Sequence, residues 1–355
     1  MNWFVALIFL FLFSPAQAQE SDQTSVKEVP KEISKDAPQK IPDDEYPDFF
    51  TVVFENDSIG SGTDQNYTNG VRFTYFNIKT TKDEFPEIAH TLAEQVPTFS
   101  INDKSSVYYS FGQNLYTPDD ITSSVQGPND RPWAAFIYGA IGMATKTDDH
   151  IDELEATIGI VGPAAIGRQV QTFVHRSLTS SPIPRGWSNQ LENEPGLILS
   201  WQRRWPTFRE FETEKFNFII GPHIGISLGN VYTYGNAGIS FRLSSENSKS
   251  SDTPLRVRPA LPGTGYYELF REGWGWSIFG GIEGRAVARN IFLDGSTFVS
   301  SHSVTKFPVV GDANIGIAFK VWRIRMSYTL VLRSKEFKTQ ARSDLFGAAS
   351  LSYRF

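Results

Sequence analysis

Short runs in which apolar and polar residues alternate recur along this chain, and no apolar stretch is long enough to cross a bilayer as a helix. No other feature constrains the fold as much. The pattern is plainest at the C-terminus, FGAASLSYRF, where Ala349, Leu351, Tyr353 and Phe355 share one face and Ser350, Ser352 and Arg354 the other. Successive side chains of a strand point oppositely, so one face suits lipid and the other water. A soluble sandwich also contains alternating strands. The membrane reading rests on repetition, on an aromatic share of 14% and on abundant glycine.

Phe50, Val52 and Phe54 alternate with Thr51 and Glu55, and Val71, Phe73 and Tyr75 with Arg72 and Thr74. Leu154, Ala156, Ile158 and Ile160 alternate with Glu153, Glu155 and Thr157. The charges are expected on the inner face. Further strands are expected at 107–113, 132–143, 196–205, 216–228, 234–243, 275–285, 313–321 and 323–333. The expected fold is all-β, an antiparallel transmembrane barrel of about twelve strands, an even number as in single-chain bacterial barrels. Both chain ends then lie on the periplasmic side. The connections Asp57–Tyr67, Tyr116–Arg131 and Pro163–Pro195 fall on the extracellular side. Phe85–Val96 has the spacing of a short amphipathic packing helix, and Ser244–Gly273 shows no periodicity where a short periplasmic connection is expected.

The apolar run Phe4–Phe13, followed by Ala16, Gln17 and Ala18, has the layout of a cleaved secretory signal over residues 1–18, although it lacks a basic start. Residues 19–46 are polar and Pro-rich, and read as a disordered leader before a barrel domain at 47–355. A net charge of −6 argues against a nucleic-acid partner, and the absence of cysteine removes thiol catalysis and thiolate metal sites.

Two polar clusters stand out against this pattern. Pro163 fits the first position of a helix running to Leu178, in which Arg168, Gln171 and His175 share a stripe while Ile166, Val170, Phe173 and Val174 supply apolar surface. The polar stripe would face a cleft and the other side would pack. A lid whose His is merely solvated has the same spacing. As an acid–base group near neutral pH, His175 suits activation of water, since no Gly-x-Ser-x-Gly elbow supplies a nucleophile and Ser177 points elsewhere on the helix. In the second cluster, Asp57, the oxygens of Asn56 and Thr68, and the Gly60–Gly62 backbone offer only hard oxygen ligands, a set that suits Ca²⁺ better than Zn²⁺. The same residue types are also ordinary turn formers.

Taken in order, the segments FENDSIG, NYTNGVRFTY, GQNLYTP, NDRPWAAFIYG, IGIVGPAAIGRQVQTFVHR, GWSNQLENEPG and GGIEGRAVARNIFLDG resemble the outer-membrane lipid A 3′-O-deacylase family, the LpxR-like barrels. They cover Phe54 to Gly295. The resemblance implies a twelve-stranded barrel that hydrolyses the 3′ acyl ester of lipid A in lipopolysaccharide at the extracellular rim, with Ca²⁺ as cofactor. It implies His175 as general base, Gln171, Asn56 and Thr68 as further site residues, and Asp57 as the metal-ligating side chain. A monomer among outer-membrane lipids is the expected state.

The chain departs from that family in two places. Asp119, Asp120, Ile121 and Thr122 stand where a Lys-Arg pair is expected, leaving Arg131 as the nearest cation, and Thr179, Ser180 and Ser181 stand where a Glu is expected. Asp130 and Arg131 have the spacing of a bracing salt bridge or of a substrate contact, and Trp187, Asn189 and Gln190 are expected to order the loop after the helix. An outer-membrane phospholipase and an inert barrel of the same fold are the competing readings.

Overall fold

The computed structural model describes residues 48–57, 66–77, 87–96, 99, 101–102, 104–179, 181–249, 251–259, 263–266 and 274–355. The expected signal at 1–18, the leader at 19–46 and the Gly60–Gly62 loop lie outside them. The strands are β1 (Phe49–Asn56), β2 (Asn66–Asn77), β3 (Ser105–Thr117), β4 (Ala134–Lys146), β5 (Ile151–Val161), β6 (Glu194–Arg204) and β7 (Arg209–Glu212). After them come β8 (Phe216–Gly229), β9 (Tyr232–Ser245), β10 (Trp274–Asn290), β11 (Val309–Val321), β12 (Ile324–Arg333) and β13 (Asp344–Arg354). Among the described residues, three short α-helices, α1 (Glu87–Glu94), α2 (Gly167–Val174) and α3 (Ile291–Asp294), lie between strands. None of the described helices is long and apolar enough to cross a membrane.

All neighbours pair antiparallel, β13 returns to β1, and β6 pairs with β8 to close the sheet. β7 pairs with the lower part of β8 while β6 pairs with its upper part, so the two are one strand interrupted at Trp205–Phe208. Pro206, which has no N–H to give a ladder, sits in that interruption. The barrel therefore has twelve strands, as the alternation predicted. Phe49 is the register partner of Arg354, so the start of β1 and the end of β13 lie at one rim and α2 at the other.

The period of two sorts the side chains as expected. Phe50, Phe73, Tyr109, Leu351 and Tyr353 stand exposed on the outer wall, whereas Thr51, Glu55, Arg72, Glu153, Glu155, Ser352 and Arg354 are buried in the lumen. On the outer wall, Ala93, Val96 and Phe99 of α1 and its exit pack against Val107, Met143 and Leu154. That is the packing role expected of this amphipathic segment.

The β9–β10 connection departs from the sequence reading. It is not a short turn: Ser251–Pro259 and Gly263–Tyr266 fold back into the barrel, where Leu255 and Val257 join the lumenal core. Arg256 Nε donates to Glu55 Oε1 at 2.7 Å, Arg258 pairs with Glu153 and Glu155, and Arg204 pairs with Asp252. Arg72, from the wall, holds Glu155 at 2.5 Å. Burial pushes the Asp252 carboxyl upward, but the Arg204 guanidinium and hydrogen bonds from Thr264 outweigh it and hold the group well below the ordinary carboxylate range. The segment has no repeat in sequence because its partners are scattered over distant strands.

Candidate active site on the outer wall

The register places the upper part of β1 to β4 in one continuous floor. Asn56 pairs with Asn69, Asn69 with Leu115, and Leu115 with Ala135. All four face outward by alternation, Asn56 with the exposed Phe50, Asn69 with Phe73, and Leu115 with Phe111. Neighbouring strands are about 4.8 Å apart, so the row spans roughly 14 Å. Asp57 follows Asn56 directly and is buried.

A bulge between Tyr67 and Asn69 inserts Thr68 into the β2–β3 ladder. Bulges re-aim side chains beside active sites. The Asn56 amide Nδ2 donates to the Thr68 carbonyl at 2.6 Å, and the Thr68 and Thr117 hydroxyls share a hydrogen bond of 2.6 Å. Asn56 and Thr68 thus brace one another and fix the backbone from which Asp57 and Asn69 project. Asn69 Oδ1 is buried and has no hydrogen-bond partner among the described residues. Sequence reasoning passed over Asn69, because only the register sets it opposite Asn56.

The segment after β5 does not form the single helix expected from Pro163 to Leu178. Pro163–Ala165 is a 3-10 turn, Ile166 breaks it with a left-handed φ of 51°, and α2 then runs to Val174, followed by a π-turn at His175–Thr179. This break lays α2 back over β4. A Cβ at Gly167 would meet Ala135 Cβ at 2.5 Å, so glycine permits the close approach. Gln113 Nε2 donates to the Ala165 carbonyl at 2.5 Å, and Val170 packs on the outer-wall cluster of Leu115, Trp133, Ala135, Ile137 and Trp187.

The expected stripe is also corrected. Arg168 is exposed, and the buried face is Gly167, Gln171 and His175, one turn apart each. The polar face lies against the barrel while Ile166 and Phe173 point away, the reverse of the expected packing apart from Val170. Gln171 Oε1 accepts from Trp187 Nε1 at 2.7 Å, which fixes the carboxamide and leaves its buried Nε2 without a hydrogen-bond partner among the described residues. His175 Nδ1 lies 2.5 Å from the Pro182 carbonyl. A carbonyl only accepts, so Nδ1 carries the proton and the neutral ring's lone pair is on Nε2. Trp187 packs on Trp133 with ring centroids 5.2 Å apart, and Asn189 Nδ2 donates to the Ser124 carbonyl, so both order the loop as expected.

Asp130 and Arg131 do not pair with each other. Asp130 accepts from the Asp119 and Arg131 backbone amides, whereas the Arg131 guanidinium is fully buried, 3.3 Å from Glu336 and over the Tyr116 ring. Arg131 is a brace. Asp120 caps its own turn through Thr122, whose hydrogen bonds lower its carboxyl pKa. Burial, then the nearby Asp130 carboxylate, raises that of Asp119. The exposed cations of this region are Arg168, Arg176 and Arg185, which have no ion-pair partner among the described residues. The Arg185 amide donates to the Ile121 carbonyl at 2.9 Å, which brings the end of the helical loop beside the departing segment.

No cluster of three His, Asp or Glu side chains suited to a metal occurs among the described residues. The hard oxygens at the β1 tip fit a hard divalent cation held by one carboxylate and neutral donors. Asp57 would supply the charge for such an ion, and the orphaned Asn69 Oδ1 is a neutral oxygen of the kind it takes.

These features define a plugged transmembrane β-barrel whose polar site lies on the outside of its wall and not in its lumen. Residues 4–355 match the family model "Outer membrane protein LpxR", and the chain belongs to the LpxR family of the bacterial outer membrane. LpxR from Salmonella typhimurium is similar in fold with a TM-score of 0.71 at 19% identity, over 86% of this chain and 100% of that one. The β-domain of the Bordetella autotransporter BrkA gives a TM-score of 0.42 at 8% identity, over 87% of this chain and 100% of that one. No curated protein sequence matches significantly.

Proposed function

We propose that this protein is a lipid A 3′-O-deacylase that works at the extracellular rim with calcium. One observation carries the reading: a helix clamped to the lipid side of the wall turns an amide and an imidazole inward, at the rim where Asn56, Asp57 and Thr68 end the first strands. Acyl chains reach such a site without leaving hydrocarbon. The extracellular placement is supported by the start of β1 and the end of β13 lying together at the opposite rim.

In this reading, His175 Nε2 takes a proton from water as the water oxygen attacks the 3′ ester carbonyl. Gln171 Nε2 donates a hydrogen bond to the oxygen that becomes negative. When the intermediate collapses, the bond between acyl carbon and sugar oxygen breaks, and the imidazolium returns its proton to that oxygen. A fatty acid and a free 3′ hydroxyl result. Calcium held by Asp57 and neutral oxygens such as Asn69 Oδ1 would polarise the carbonyl and stabilise its developing charge. Asn56 and Thr68 act by positioning those ligands. The barrel is expected to work as a monomer.

The test is mass spectrometry of lipid A from cells carrying the wild-type chain, His175→Ala, or no chain. Loss of an acyl chain only with the wild type, abolished by chelation, is expected. Altered phospholipids with intact lipid A would favour a phospholipase, and no change from a folded barrel would favour an inert one.

A further inference from the structure

Helix α2 has its amphipathicity inverted for a surface helix of a water-soluble protein. Its buried side carries Gln171 and His175, while Phe173 is 61% exposed and Ile166 44%. The bare apolar side is continuous with the lipid-facing wall. Ile137, which packs beneath the helix, is the register partner of Ile160 on β5. Two residues along that strand Ile158 stands 66% exposed, opposite Leu197 at 55%. From the helix seat along the wall, Ile137, Ile160, Ile158 and Leu197 form an aliphatic path, and Gln113 beside Ile137 is turned to the Ala165 carbonyl. Arg168 and Arg176 are exposed at the two ends of the same segment, without ion-pair partners among the described residues. Apolar rings directed to lipid and arginines free to reach the headgroups are the pattern of a helix lying in a membrane interface.

We propose that α2 is embedded in the leaflet adjoining its rim, with Phe173 and Ile166 among the acyl chains and Arg168 and Arg176 against headgroup phosphates. The helix that carries His175 is then a membrane-interaction surface as well as part of the site. Its occupant is the surrounding lipid, whatever reaction the site performs. This explains why the polar face is turned toward the protein: between lipid and barrel, the only polar environment is the one the wall itself supplies.

Because the chain has no cysteine, a single introduced thiol carries one label. An environment-sensitive fluorophore is attached to Phe173→Cys in the full-length protein refolded into phosphatidylcholine–phosphatidylglycerol vesicles. Ile158→Cys serves as the lipid-wall reference and Ser188→Cys, exposed beyond the helix, as the aqueous one. The expected result is a blue-shifted emission at Phe173 close to that at Ile158, quenched by nitroxide on the lipid chains and protected from aqueous iodide. Emission and iodide quenching equal to those at Ser188 would overturn the proposal. If Phe173→Cys does not refold, as judged by heat-modifiable mobility, Ile166→Cys gives the same two alternatives. The readout requires no deacylation, so failure of the proposed chemistry would leave it intact.

Discussion

The lumen and the outer wall of this barrel are both rich in buried polar groups, yet the lumen gathers paired charges and the outer wall neutral amides and an imidazole. In the lumen the plug arginines Arg256 and Arg258 are ion-paired, the first with Glu55 and the second with Glu153 and Glu155, and the wall residue Arg72 is paired with Glu155. On the outer wall Asn69 Oδ1 and Gln171 Nε2 are buried without hydrogen-bond partners among the described residues. A buried network of paired charges fixes structure, whereas an unmatched buried polar atom costs stability unless something else completes it. The lumen also holds buried atoms without hydrogen-bond partners, Glu153 Oε2 and Arg256 Nη2 among them, but these belong to ion-paired side chains, whereas those two open atoms of the outer wall belong to neutral amides with no charge partner.

The contrast predicts a division between variants that lose activity and variants that lose stability. His175→Ala is expected to reduce lipid A deacylation by about 10²- to 10⁴-fold, with urea unfolding of the barrel unchanged. A stability loss comparable to a lumenal variant would erase the distinction. Glu155→Gln should do the reverse, because it leaves the Arg72 guanidinium buried without its partner. The expected cost is ~3–5 kcal/mol in the same unfolding assay, with activity per folded molecule retained. Gln171→Leu removes the unmatched donor and should lower kcat by roughly 10²- to 10³-fold. An effect confined to KM would show that Gln171 only binds ground-state substrate.

Smaller effects follow from the seat of the helix and from the plug. Gly167→Ala drives a methyl into Ala135 and Trp187, which should cost ~1–3 kcal/mol and reduce activity by lifting α2. Retained activity would mean that the seat is not part of the site. Asp252 has its pKa depressed in the folded protein. Its stabilising contribution is therefore present above the unfolded carboxylate pKa of about 3.9 and is lost as the pH falls toward the lower folded value. Unfolding measured through the acid range should show this loss in the wild type and a flatter profile for Asp252→Asn. Identical profiles would place the acid sensitivity elsewhere.

Much of the barrel was legible because period two is a local property. The outward set Ala349, Leu351, Tyr353 and Phe355 and the inward set Ser350, Ser352 and Arg354 follow from alternation alone, as do the charges of β5. The plug was not legible, since Arg256 meets Glu55 across 201 residues and a contact at that separation leaves no pattern along the chain. The helix was visible through the spacing of Gln171 and His175, but spacing gives no sign. It shows that two faces differ and cannot say which one turns to protein when the alternative surroundings are lipid and not water. Asn69 carried no signal beyond an ordinary turn composition until the register set it beside Asn56.

What the sequence alone determined was the all-β barrel, the count of its strands, the side on which each wall residue falls, and the two segments that meet at one rim. These depend on hydrophobic alternation and on residue type, which are local. Only the tertiary structure decided that the lumen is filled by its own β9–β10 connection, that α2 lies on the outer wall with its polar face inward, and which buried atoms lack a partner. Each of these depends on register and on long-range pairing, and hydrogen bonds are satisfied or left open only once distant strands have been brought together.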